Sequence, residues 1–244
     1  MVTTNSALVG IGLAGTSSIP RKPDSPAIHR LGTQMSSRLE DSSETLSLIE
    51  RAQAGDRSAF DSLFERYADE LHQFINSRLD ARVRVRVAAS DIVQDTQMEA
   101  FRRFLDYCNR RPMPFRIWLR KNAYERLLNV RRDHINTAKR AIGREQPLLD
   151  ESSVLLASMV SNGVTSPSER LSKLEYRETI ALLIQSMSED DRNVLLMRHV
   201  DGMTHQDIAD LLGIECAAAR KRYARALVRL ETLLRKSGLE TSSN

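Results

Sequence analysis

The sequence predicts an all-α protein of two helical domains joined by a flexible linker. Helix-favouring Leu and Arg are the commonest of the 244 residues and Ala is frequent, against only 10 Gly and 7 Pro. Apolar residues recur at spacings of three and four, the period of a helix with one buried face. Capping pairs of the form Ser/Thr/Asp followed by an acid or amide three residues later stand before several of these periodic stretches.

Residues 1–43 are rich in Ser, Thr, Gly and Pro, with Pro20, Pro23 and Pro26 close together and no sustained period; they predict a disordered extension. Met35 stands just before the periodic part and is an alternative start. The first domain spans 44–144. Leu46, Ile49 and Ala52 predict a short helix stopped at Gly55. Asp56 then caps a longer one whose stripe is Phe60, Leu63, Phe64, Tyr67, Leu71, Phe74 and Ile75. Arg82 to Val87 alternates Arg and Val, but no second strand exists to pair with it, so an extended or irregular segment is expected. Asp91 with Gln94 opens the next helix, expected to bury Ile92, Thr96, Ala100, Phe101, Phe104 and Leu105. Pro112 and Pro114 end it, and a further helix runs from about Phe115 to Arg132, with scope to continue towards Arg144.

Residues 145–165 mix Pro, Ser, Gly and acids and predict the linker, and 166–236 form the second domain. Three helix starts fall within it: Ser166 with Pro167 and Glu169, Ser188 with Asp191, and Thr204 with Asp207. Residues 237–244 are expected to be a disordered tail.

Charge is concentrated. The net charge is +4, yet 102–144 alone carry +10 and 215–236 carry +5, which leaves −11 for the rest. Two basic segments in an otherwise acidic chain predict two separate polyanion contacts, with nucleic acid the leading partner class. Cys108 and Cys216 belong to no CxxC pair and the five His show no ligand spacing with them, so neither a disulfide framework nor a metal site is expected, and no cofactor. No apolar run reaches the roughly 18 residues of a membrane span, so membrane insertion is not expected and the cytoplasm is the default compartment.

The sharpest local signal is Thr204 to Leu234. A short helix with Ile208, Leu211 and Leu212 inward, a turn at Gly213 and a long basic helix make a helix-turn-helix, whose second helix enters the major groove. Arg220, Lys221, Arg222 and Arg225 would meet DNA there, and Ala217, Ala218 and Ala219 keep the first turn slim. The bland alternative is a solvated bundle face. Two other motifs are set aside. Gly10 to Gly15 fits GxGxxG, but prolines follow where a phosphate-binding helix should start. Asp91, Asp95 and Glu99 form a carboxylate ladder without the accompanying Glu-x-x-His of helical metal sites, so no catalysis is expected.

Leu48 to Leu79, Asp91 to Phe104, Phe115 to Arg132 and Ser166 to Leu234 together resemble the extracytoplasmic-function sigma factors of the sigma-70 family, over about four fifths of the chain. The resemblance implies that 44–144 is sigma domain two and 166–236 the helix-turn-helix sigma domain four. It implies core RNA polymerase and promoter DNA as partners, and it leaves an anti-sigma factor open. Asp91-Ile92-Val93-Gln94-Asp95-Thr96 matches the polymerase-docking signature, which makes Asp91, Gln94, Asp95 and Met98 the implied core-binding face. The Phe115 to Arg132 helix resembles the segment that captures the melted minus-10 element, through Arg120, Lys121, Tyr124, Arg126, Arg131 and Arg132, while Trp118 belongs with the core beside Phe115 and Leu119. Arg220 to Arg225 would read the minus-35 element. The chain departs from the family at Asn122, Glu125, Glu215 and Ala219, so its promoter preference is its own. A freestanding helix-turn-helix regulator is the alternative reading, and a helical enzyme acting on nucleic acid a third.

Overall fold

The computed structural model describes residues 41–79, 81–138, 149–161 and 170–239. Among these it contains ten helices and no strand. They are α1 (Ser43–Gln53), α2 (Arg57–Asn76), α3 (Ala81–Arg84), α4 (Ala89–Arg110), α5 (Phe115–Ala138), α6 (Glu151–Ser161), α7 (Arg170–Gln185), α8 (Glu189–His199), α9 (His205–Leu212) and α10 (Cys216–Lys236). Expectations for 1–40, for the Ser166 cap and for the end of the tail lie outside the described residues.

Helices α1, α2, α4 and α5 pack around the first core, which buries Ile49, Phe60, Leu63, Phe74, Ile92, Phe104, Phe115 and Leu127. Asp56 caps α2 by accepting the Ala59 N–H at 3.1 Å, and Gly55 takes the left-handed φ of 98° that separates α1 from α2. Aromatic edges knit the centre: Phe60 meets Phe104 at 5.2 Å and Trp118 stacks on Tyr107 at 4.6 Å.

Four local features differ from the sequence-based expectation. Arg82 to Val87 does not extend. It makes the single turn α3, where the Arg86 and Val87 N–H groups both reach the Val83 carbonyl, at 2.9 and 3.0 Å. With no partner strand, local bonds satisfy that backbone. Helix α4 begins at Ala89, so Asp91 is its third residue rather than its cap; its carboxylate accepts the Ala88 N–H at 3.1 Å. The buried seam of α4 runs Ile92, Thr96, Ala100, Phe104, Tyr107 and Cys108, which leaves Phe101 50% and Leu105 62% exposed. Asp41, placed by sequence in the extension, belongs to the domain: its carboxylate oxygens accept the Phe115 N–H at 3.0 and 2.9 Å and so cap α5. Burial raises the Asp41 pKa, against the lowering effect of that hydrogen bond.

The second domain stacks α7 to α10 around Ile180, Leu195, Met197, Ile208, Ala226 and Leu230. Part of the linker is itself ordered as α6, whose Leu156, Ala157 and Val160 pack against α7 and α8. Glu151 at its start accepts from Asn76 at 3.1 and 3.0 Å and pairs with Arg84, tying this helix back to the first domain.

Candidate nucleic-acid and partner interfaces

The helix-turn-helix is built by local chemistry. Thr204 and Asp207 form a reciprocal box: the Asp207 N–H donates to the Thr204 hydroxyl at 3.1 Å, and the Thr204 N–H donates to the Asp207 carboxylate at 2.9 Å. Gly213 closes α9 with a left-handed φ of 64°. The turn delivers α10, whose Ala219, Tyr223, Ala226 and Leu230 face the core. Fully buried Ala219 lets the helix sit close, which a larger side chain would prevent. Arg220, Lys221, Arg222 and Arg225 then all project into solvent from its first turns. Arg229 is engaged instead, pairing with Asp191 of α8. Glu215 occupies the N-cap without a side-chain bond to the helix, so only its charge assists the helix end.

A second face lies on α4. Asp91, Gln94 and Met98 are exposed, and half-buried Asp95 shares their side. Asp95 accepts from Arg126 of α5, with Nε at 2.9 Å and Nη2 at 2.5 Å. Phe101 and Leu105 continue the line beyond Met98 as exposed apolar residues, and the Arg57 guanidinium lies 5.4 Å from the Phe101 ring. Sequence reasoning missed this apolar extension because both residues also fit a core stripe.

The six candidate residues of α5 separate into two groups. Arg126 and Arg132 are exposed. The other four lie against the second domain. Arg120 is 5% exposed and donates to the Asp201 carbonyl at 3.3 Å. Burial lowers its pKa, and the Asp201 carboxylate opposes that shift. Lys121 Nζ reaches the Asp210 carbonyl at 3.4 Å, the Tyr124 hydroxyl accepts from Asn193 at 3.4 Å, and Arg131 pairs with Glu189. Asn122, a departure from the resemblance, is buried and bonds the Trp118 carbonyl at 2.8 Å, which explains how an amide sits where an apolar side chain is usual. Among the described residues no cluster of three or more His, Cys, Asp or Glu could hold a metal, and no helix is long and apolar enough to cross a membrane.

The chain itself is similar to known proteins. Residues 177–230 match the family "Sigma-70, region 4", which spans the helix-turn-helix. The ECF RNA polymerase sigma-E factor of Escherichia coli is 27% identical over 186 residues, 73% of this chain and 88% of its own length, so the likeness runs through both domains. Residues 177–230 are a sigma-70 region 4, and through both domains the chain is similar to extracytoplasmic-function sigma factors of RNA polymerase. A probable RNA polymerase sigma factor, RfaY of Xanthomonas campestris, is 31% identical over 150 residues, of which the chain spans 35% of the length. Two solved structures share the fold of this chain: CnrH in complex with the cytosolic domain of CnrY, with a TM-score of 0.51, 22% identity and 79% of this chain covered, and the sigma factor RpoE in complex with the anti-sigma factor NepR from Bartonella quintana, with 0.50, 18% and 72%. They cover 98% and 96% of those chains.

Proposed function

We propose that this sigma factor carries core RNA polymerase to its promoters through three surfaces and has no catalysis of its own. The exposed row Arg220, Lys221, Arg222 and Arg225 on the second helix of a helix-turn-helix is the observation that carries the reading. Four cations on the leading turns of a slim helix match the phosphates and base edges of a major groove, here the minus-35 element. The acidic, partly apolar face of α4, with Asp91, Gln94, Asp95 and Met98, holds the polymerase. Helix α5 holds the opened minus-10 strand through Arg120, Lys121, Tyr124, Arg126, Arg131 and Arg132, cations interleaved with an aromatic ring as strand capture requires.

The proposed division is domain two, linker and domain four, with domain two extended back to Asp41, which caps α5, and with α6 inside the linker. Work with polymerase places the protein in the cytoplasm. An anti-sigma factor is proposed as a further partner, because the RpoE of like fold was solved in complex with the anti-sigma factor NepR. A freestanding regulator is less favoured, since the likeness to sigma-E continues through the first domain as well as the helix-turn-helix.

Run-off transcription with purified core polymerase on a pool of genomic promoters tests the proposal. Specific transcripts that depend on the protein are expected. Failure to bind core together with absence of any transcript overturns it.

A further inference from the structure

The recognition helix opens on an acid that the fold does not use. Glu215 stands at the N-cap of α10 with the extended backbone of a cap, φ −71° and ψ 147°, yet its side chain makes no bond to the helix end. It is exposed, and among the described residues it has no ion-pair partner. At the two preceding helix starts an acid is engaged: Asp191 of α8 pairs with Arg229, and Asp207 of α9 accepts the Thr204 N–H at 2.9 Å. Arg220, Lys221, Arg222 and Arg225 share the condition of Glu215, since each is exposed and none is ion-paired to a described residue. One free carboxylate thus stands at the head of four free cations. Nothing bulky follows it, because Ala217 is exposed and Ala218 half-buried.

A free acid at this position has a definite chemistry with DNA. In a helix-turn-helix the N-terminal residues of the second helix reach base edges. A carboxylate is acceptor-only and is repelled by the phosphates on either side, so it is tolerated in a major groove only where a base offers a donor. Two bases do, through the N4 amino group of cytosine and the N6 amino group of adenine. Adenine sets its N7 acceptor beside that donor, which suits an amide and repels the second carboxylate oxygen. Cytosine has no such acceptor on its own edge. Arginines suit the O6 and N7 acceptors of guanine, so a carboxylate followed by unpaired guanidinium groups matches an element containing both cytosine and guanine.

We propose that Glu215 is a specificity-determining residue that accepts a hydrogen bond from the N4 amino group of a cytosine in the minus-35 element. The inference rests on the reading of α10 as the minus-35 helix, and it adds a base which that element must contain. Discrimination comes as much from rejection as from contact: at a base without a donor the carboxylate is left facing acceptors inside a polyanion. The preference for cytosine over thymine at the contacted position is expected to be on the order of 10- to 100-fold. A purely structural role, in which the charge of Glu215 assists the helix N-terminus, predicts an effect on stability and none on base preference.

The test selects duplexes from a promoter pool randomised through the minus-35 element, once by run-off transcription with core polymerase and once by binding to the full chain alone. The wild type should enrich cytosine at one position. Glu215→Gln should enrich adenine at that same position, because an amide donates to N7 while accepting from N6, and a new preference cannot come from misfolding. Glu215→Ala should lose the preference there and keep those at other positions. Glu215→Ser supplies a hydroxyl cap, so its melting temperature should rise while the cytosine preference is lost. The proposal is overturned by base profiles of Glu215→Gln and Glu215→Ala equal to the wild type, by a cytosine preference retained in Glu215→Ser, or by no cytosine enriched by the wild type. The two arms separate it from the sigma assignment. Transcription with an unchanged profile in the variants loses the role of Glu215 alone, and a cytosine-to-adenine shift in the binding arm without transcription keeps that role and loses the assignment. Failure of the wild type to enrich any duplex in either arm removes both.

Discussion

Arg126 on α5 closes on Asp95 of α4, with Nε and Nη2 2.9 and 2.5 Å from one carboxylate oxygen. A single ion pair therefore joins the face proposed for polymerase to the helix proposed for promoter DNA. Both side chains are more than a third exposed, so the pair contributes at most about 1 kcal/mol and separates easily. On the proposed roles, a polymerase cation that recruits Asp95 would free Arg126 for a phosphate, so that the two binding events would assist one another.

Charge reversal on this face is the first prediction. Asp95→Lys should weaken core binding by at least about tenfold, because it sets a like charge against the partner surface at the centre of a polar interface. Its thermal unfolding should change little, since the lost pair is exposed. Titration of labelled core measures the first and circular dichroism melting the second; unchanged core affinity would remove α4 from the docking surface.

The α10 row makes a quantitative claim about salt. Replacing Arg222 and Arg225 with Ala should weaken minus-35 duplex binding and lower the slope of log affinity against log salt by about 2, roughly one for each phosphate contact removed. Anisotropy across a salt series reads this directly. A slope equal to the wild type would mean that both guanidinium groups are solvated rather than bound.

Backbone geometry at the turn between α9 and α10 gives a third expectation. Gly213 holds a φ of 64° with open space where a Cβ would stand, so Gly213→Val meets backbone strain without a steric clash. A loss of about 1 to 2 kcal/mol is expected by urea denaturation, and Thr204→Ala should cost about 1 kcal/mol through its cap. Both should reduce DNA binding less than they reduce stability at low denaturant, since neither residue belongs to the α10 face.

What the sequence made legible was local. Asp56, Ser188, Thr204 and Asp207 cap where their spacing says they should, because a cap is satisfied within three residues. The α10 row was readable for the same reason: a Gly turn and clustered cations are contiguous in the chain. Long-range facts were not. Whether Phe101 and Leu105 are buried depends on which side of α4 meets α2 and α5, and either choice fits a 3.6-residue period. Asp41 caps a helix that begins 74 residues later, and Tyr124 meets Asn193 across 69, separations at which single-residue patterns carry no information. The covering of Arg120 and Arg131 belongs to the same class, since a basic stripe reads identically whether it awaits DNA or an acidic neighbour.

The buried His199 of α8 supplies a pH dependence with a definite sign. Its Nε2 lies 3.0 Å from the Tyr223 hydroxyl, and burial, aided by the Arg198 charge, lowers its pKa from 6.5 to about 4. The folded protein thus disfavours the imidazolium that the unfolded chain accepts at pH 6.5. Stability from neutral His199 is fully present above that value and is lost as pH falls towards about 4, a change on the order of 3 kcal/mol. Urea denaturation followed by Tyr fluorescence should show a lower midpoint at pH 4.5 than at pH 7.5. His199→Gln, which keeps a polar partner for Tyr223 and does not titrate, should flatten that difference even though it costs some stability at neutral pH. An equal pH dependence in the variant would assign the acid loss to other groups, such as His205, whose pKa burial also lowers.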